Sequence, residues 1–286
     1  GVADRAAAAT ALRAVGTDPG AAVLEVLLGG LTVRTDAPAV VAVTGAVGVV
    51  VVVTPDGSRR TAATGEVLRL AAGSTLELGR PERGIRGYLA VRGGIDVPTV
   101  MGSRSRDTLA GLGPAPVRTG DVLAVGEDVV GPWADGWHPG AGEGLGGVFG
   151  GGLGNGRGGG RGAATGESPV DLDILPGPRD HLFPVEAWDI LADTGHISGH
   201  ADRVGVRIDP ARPVRRLRGG EIPSEGMVRG AVQIPADGAP VVFGPDHPVT
   251  GGYPVIGVLT ARSADTICQL LPGTPVRFRR LRGVAD

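Results

Sequence analysis

The chain has 286 residues, enough for one large or two ordinary domains with a buried core. Its 28 basic residues stand against 30 acidic ones, so the net charge of −2 gives no electrostatic reason to expect nucleic acid or an acidic membrane surface. All the basic residues are arginine, and the absence of lysine excludes a Schiff base, a phosphate-loop lysine and a biotinylated lysine on this chain. No apolar run is long enough to span a bilayer, no signal-peptide pattern opens the sequence, and one cysteine excludes an internal disulfide framework. Together these point to the cytoplasm.

The first predicted element is a helix over Asp4–Val15, with Asp4 as N-cap, Ala8, Leu12 and Val15 on one face, and Gly16 closing the end. From Ala22 short β-branched runs take over: AVLEVLL, LTVRT, AVVAVTG, VGVVVVTPDG, GEVLRLAAG, STLELGR and RGYLAVRGG. Turn residues separate them, as in an antiparallel barrel or sandwich. Residues 93–113 read as a loop with a short helix, and DVLAVG as a final strand ending near Gly126. Residues 140–166 are dominated by glycine, with Arg157 and Arg161 in a GRGGGRG run. Ordering such a segment costs maximal backbone entropy with little to bury, and two arginines carry too little charge for a nucleic-acid tail. The reading is therefore three parts: a first β-barrel module over 1–126, a glycine-rich linker or surface loop over 127–169, and a second module over 170–286.

In the second half the strands are VDLDILPG, RVGVRIDP, AVQIP, PVVFGP, PVIGVLT and TPVRFRRL. PVEAWDIL reads as a helix with Pro184 in its first turn, and SADTICQLL as a helix capped by Ser263 and stopped by Pro272-Gly273. His196 and His200 have helical ligand spacing, but Gly195 and Gly199 flank them and no third ligand is fixed, so the pattern favours a solvated loop over a metal site. Cys268 lies among apolar residues, as a buried structural thiol does. TGGYP lacks the following helix and lysine of a phosphate loop, and neither a GxSxG elbow nor an HExxH motif occurs.

The densest mixture of apolar runs and polar corners is Ser224–Leu259. Asp237-Gly238 and Gly251-Gly252 read as positive-φ corners between strands. With Asp4 and Asp202 from elsewhere, Glu225, Gln233, Thr250 and Tyr253 make a set of neutral donors and acceptors plus a few carboxylates. Such a set suits a small planar amide or urea better than a phosphate, which would call for clustered basic groups. On the residues alone, a binding site and plain turn chemistry both remain open.

SEGMVRGAVQIPADGAPVVFGPDHPVTGGYPVIG resembles the signature of the KipA family, also known as allophanate hydrolase subunit 2, the C component of 5-oxoprolinase, or the carboxyltransferase domain of urea carboxylase. LPGPRDHLF, ADRVGVRI, GYLAVRGGIDVPTVMGSRSRDTLAGLG and the opening helix agree with it as well, so the resemblance covers nearly the whole chain outside the glycine-rich stretch. Two departures stand out: Pro248 and Val249 replace a glutamine and a threonine of the family pattern, and Ala201 stands where serine is usual before Asp202-Arg203. Family chains also carry a strand and loop ahead of the helix with which this sequence opens.

The resemblance implies a mainly β fold with a few short helices, arranged as two cyclophilin-like β-barrel modules. It implies the C component of an ATP-dependent 5-oxoprolinase, with a KipI-like B component and a LamB/YcsF-like A component as partners and with ATP and Mg2+ used by the complex. Asp4, Asp202 and Tyr253 would be catalytic, and Glu225, Gln233, Thr250, Gly251 and Gly252 would bind substrate. Two alternatives accompany it. One is a biotin-dependent carboxyltransferase acting on urea or a related amide, with biotin on another chain. The other is a non-enzymatic regulator that binds a KipI-like kinase inhibitor. Prolyl isomerisation has only fold analogy behind it.

Overall fold

The computed structural model describes residues 1–134, 168–219 and 222–281; the glycine-rich stretch lies outside them. The described residues form two compact units, one of Gly1–Asp107 with residues 111–134, the other of Thr108–Ala110 with the residues from 168 onward.

The first unit opens with helix α1 (Arg5–Ala14), whose N-cap Asp4 accepts a hydrogen bond from the Ala7 N–H. Gly16, at φ +67°, closes it. Behind the helix stands one curled sheet in which β6 (Thr75–Val91) and β3 (Ala39–Val53) pair along their length. On the far side of β6 lie β1 (Leu24–Leu27) and β2 (Leu31–Arg34); on the far side of β3 lie β4 (Arg59–Ala62) and β5 (Val67–Leu70). Strand alternation divides the faces. Val41, Val43, Leu68, Leu76, Leu78 and Leu89 fill the inside of the curl. Ala42, Thr44, Tyr88 and Ala90 turn outward beneath the alanine-rich face of α1. Their small size, Tyr88 apart, lets helix and sheet approach closely.

Several sequence expectations change here. AVVAVTG and VGVVVVTPDG are one strand, because Gly45, at φ +83°, bulges the ladder instead of turning it. STLELGR and RGYLAVRGG likewise fuse through Pro81, which passes so close to Gly48 that a Cβ there would stand 2.9 Å from the proline Cα. The short strand β4 carries too little apolar pattern to be read in advance. DVLAVG is not a strand: it contributes one isolated bridge, Ile95 to Val125, and residues 93–113 contain turns and bridges with no helix.

The second unit is a closed seven-stranded barrel. Its strands are β7 (Val170–Pro176), β8 (Gly195–Ala201), β9 (Gly205–Asp209), β11 (Ala231–Gln233), β12 (Val241–Phe243), β14 (Val255–Leu259) and β15 (Pro275–Arg280). Around the barrel the order is β11-β12-β9-β8-β15-β7-β14, antiparallel except where β15 runs beside β7. Leu172, Ile174, Val206, Ile208, Val232, Ile256, Val276 and Phe278 alternate inward and are buried. On the outside of the parallel pair Asp171 faces Arg277 and Asp173 faces Arg279, an ion-pair ladder set by register. Closure leaves the barrel itself without a sheet edge.

Helices α2 (Glu186–Ala192) and α3 (Ala261–Ile267) decorate the barrel. The cap of α3 is Thr260, which accepts from the Ser263 N–H, so the sequence reading placed that start three residues late. His196 and His200 lie on β8 and not in a loop: the barrel needs a strand there, and Ile197 supplies its buried side chain. Gly257 faces β7 so tightly that a Cβ would meet Ile174 Cδ1 and the Leu175 carbonyl, each at 2.6 Å. Gly257→Ala should therefore lower stability by about 1–3 kcal/mol through overpacking, read from urea unfolding.

Candidate functional site

In the second unit, β10 (Glu225–Gly226) and β13 (Thr250–Gly251) form a two-residue antiparallel ribbon, with Glu225 opposite Gly251 and Gly226 opposite Thr250. Two further bonds extend it, Met227 N–H to the Val249 carbonyl at 2.9 Å and Ile222 N–H to the Gly252 carbonyl at 3.0 Å. Gln233 ends β11 beneath this ribbon and is only 7% exposed. Its Nε2 donates to the Tyr253 carbonyl at 3.0 Å, while the neighbouring Ile234 N–H donates to the Pro254 carbonyl. The TGGYP segment is thus stitched along β11. Gln233 Oε1 makes no bond among the described residues, which leaves an acceptor held in place by its own amide nitrogen.

Gly251 and Gly252 are not positive-φ corners, in contrast to the sequence expectation. Gly251 is required for space: a Cβ would lie 2.8 Å from Gln233 Nε2 and 3.4 Å from Met227. Gly238, at φ +80°, does turn the corner between β11 and β12.

Glu225 faces Gly251 in the ribbon, and Arg179 binds it through Nε at 2.8 Å and through Nη2. The arginine hydrogen bond holds the Glu225 carboxyl below the ordinary glutamate range, and the same bond raises the Arg179 guanidinium. A second arginine, Arg216, lies over the Tyr253 ring at 5.8 Å. Thr250 is exposed beside them.

Asp246, four residues before Thr250, anchors the turn that leads into TGGYP. Its buried carboxylate accepts from Arg203 Nε at 2.8 Å, Arg203 Nη2 at 3.0 Å, and the backbone N–H and Oγ1 of Thr108 at 2.9 and 2.8 Å. Burial works to raise this carboxyl, but the bonds from Arg203 and Thr108 outweigh it and hold it below the ordinary aspartate range.

The structure therefore gathers Glu225, Gln233, Thr250, Gly251, Gly252 and Tyr253, and leaves two expected residues elsewhere. Asp202 is exposed in the β8–β9 turn, where Oδ1 accepts from the Val204 and Gly205 N–H groups. Asp4 belongs to the first unit and is buried. Beside its capping bond, its own N–H donates to Tyr88 Oη, which in turn donates to Glu25. Burial first, then the Glu25 charge, push the Tyr88 phenol far above its ordinary value, so it stays a donor. The sequence reading did not single out Arg179, Arg216 or the Arg203–Asp246 pair. Arg179 sits within LPGPRDHLF, where the motif was visible but its target was not.

Cys268 is buried at the end of α3. Among the described residues no three of His, Cys, Asp or Glu gather to hold a metal, and no helix is long and apolar enough to cross a membrane. A wide groove lies in the first unit, lined by β1, β2, residues 116–123 and Val125. At about 1950 Å³ it is too large and open to enclose a small amide, and it is lined by none of the expected site residues.

A mainly β protein with a closed barrel and a polar ribbon on its rim is the class that the geometry defines. The family model described as "Carboxyltransferase domain, subdomain A and B" matches residues 1–280, and the chain belongs to that family. It is 32% identical to the C component of 5-oxoprolinase from Escherichia coli over 92% of this chain and 76% of that protein. It is 27% identical to urea amidolyase of Saccharomyces cerevisiae over 93% of this chain, which spans only 14% of that enzyme. Among solved structures, the K. lactis urea amidolyase superposes with a TM-score of 0.79 at 24% identity, covering 99% of this chain and 17% of that one. That likeness bears out the fold: mainly β, with three short helices, a closed barrel and a curled half-barrel sheet.

Proposed function

We propose that this chain is the C component of an ATP-dependent 5-oxoprolinase, opening 5-oxoproline to glutamate together with the A and B components. The observation that carries this reading is Gln233: its Nε2, which packs against Gly251, is committed to the Tyr253 carbonyl, and its Oε1 keeps its acceptor capacity among the described residues. A lactam N–H donates to such an oxygen, while the Thr250 hydroxyl and the Tyr253 segment fix the ring. The relative named for 5-oxoprolinase supports the substrate class. Of the two aspartates expected to move the proton, the step is assigned to Asp202, which shares the barrel unit with the ribbon. Asp202 keeps its Oδ2 outside the turn bonds, whereas Asp4 caps α1.

ATP would activate the lactam oxygen for ring opening. Among the described residues no three of His, Cys, Asp or Glu gather to hold Mg2+ by themselves, and Glu225 is engaged by Arg179. Nucleotide and metal are therefore assigned to the assembled complex, and cytoplasmic location follows from the same reading. The test mixes this chain with the KipI-like B component, the LamB/YcsF-like A component, ATP and 5-oxoproline, and measures glutamate. Tyr253→Phe and Thr250→Ala should each abolish oxoproline-dependent ATP hydrolysis while the unfolding midpoint stays near wild type. Full turnover in either variant would remove that residue from the site.

The second reading is carboxyl transfer from biotin to urea or a related amide, favoured by the family match and the urea amidolyase relatives. With no lysine here, biotin must ride on another chain. Carboxylation of urea with a separate biotin carrier, in the absence of oxoproline turnover, would decide for it.

A further inference from the structure

We propose that Arg179 is the specificity-determining residue that receives the substrate's free carboxylate, with Glu225 as the group that holds the guanidinium in position. The inference deepens the 5-oxoprolinase reading and rests on it. The two amides considered for this ribbon differ in one ionised group: 5-oxoproline carries a carboxylate next to its lactam nitrogen, and urea carries none. A site selective for the first needs a cation within one small-molecule length of the amide-binding acceptor.

The fold supplies one. Gly177 packs against β14 so closely that a Cβ would stand 3.0 Å from the Val255 carbonyl and 3.2 Å from Gly257 Cα, and its N–H bonds the Ile256 carbonyl at 2.9 Å. This clamp fixes the start of the turn that carries Arg179. The side chain then reaches Glu225, which the ribbon places directly opposite Gly251, the residue in contact with Gln233 Nε2.

Glu225 engages Nε and Nη2 through Oε1 alone, and Nη1 has no bond among the described residues. The Arg179 side chain is 42% exposed, so an incoming carboxylate can take the Nη1–Nη2 edge while Glu225 keeps Nε. A carboxylate already seated on one edge orients the planar fork and reduces the freedom lost on binding. The other arginine at the ribbon, Arg216, lies over the Tyr253 ring.

The experiment uses the reconstituted three-component complex and two lactams, 5-oxoproline and 2-pyrrolidone, the same ring without the carboxylate. Lactam-dependent ATP hydrolysis is followed for wild type, Arg179→Gln and Arg179→Lys, with the unfolding midpoint of each as a folding control. Losing a charge-assisted bidentate contact should raise KM for 5-oxoproline on the order of tenfold to a hundredfold. The loss should fall on KM and not on kcat, the preference for 5-oxoproline over 2-pyrrolidone should shrink by the same factor, and Arg179→Lys should recover part of it. An unchanged preference, or a loss confined to kcat, overturns the carboxylate site while leaving the lactam reading intact. A wild-type complex that turns over neither lactam overturns the lactam reading, and the carboxylate site with it.

Discussion

Asp246→Ala is expected to destabilise the barrel unit by about 3–5 kcal/mol, because it removes the acceptor of four hydrogen bonds from a nearly water-free position. The Thr108 donors lose their partner, and Arg203 loses the carboxylate that fixes its fork. Urea unfolding at neutral pH would show the loss as a lower midpoint with an unchanged slope. Because the folded-state pKa lies below the unfolded one, the stability Asp246 contributes is present above the unfolded carboxylate value and lost as pH falls through the folded value. The gap between wild type and Asp246→Asn should therefore narrow in acid. A gap independent of pH would mean that packing, and not charge, holds this corner. Because Asp246 leads directly into Thr250, activity should fail along with the anchor.

Gln233→Met should leave the barrel folded and reduce oxoproline-dependent ATP hydrolysis on the order of a hundredfold, the size of effect seen when one pre-placed polar group is removed from a reacting site. Methionine keeps a similar volume but offers no Nε2 for the Tyr253 carbonyl and no Oε1 for a lactam N–H. The lost internal bond should cost about 1 kcal/mol, so activity and stability separate by a wide margin. Gly251→Ala gives an independent check, since its Cβ would push on the same Gln233 Nε2 from 2.8 Å. It should impair turnover without removing any polar atom. Wild-type turnover in Gln233→Met would leave the ribbon a structural corner only.

Much of the candidate site was legible in Ser224–Leu259, because polar residues among apolar strand positions there exceed what turns require. The glycine pair was read for the wrong reason. In sequence a Gly-Gly looks like backbone freedom, and only the approach of Gln233 shows that Gly251 is short of space. The same limit hid Arg179, whose partner Glu225 lies 46 residues away. The cap duty of Asp4 was legible from its place ahead of the opening helix, whereas the turn duty of Asp202 shows only in the structure.

By itself the sequence determined the β-rich class, the absence of any lysine chemistry, the opening helix and most strand positions, since these follow from composition, capping and two-residue alternation within a few neighbours. It also carried the family in long contiguous motifs. Only the tertiary structure decided that broken apolar runs join into β3 and β6, that one sheet curls while the other set of strands closes, and that the Glu225 and Thr250 segments meet as a ribbon above Gln233. Those outcomes depend on pairing, close approach and ion pairs between residues tens of positions apart, which local propensity does not encode.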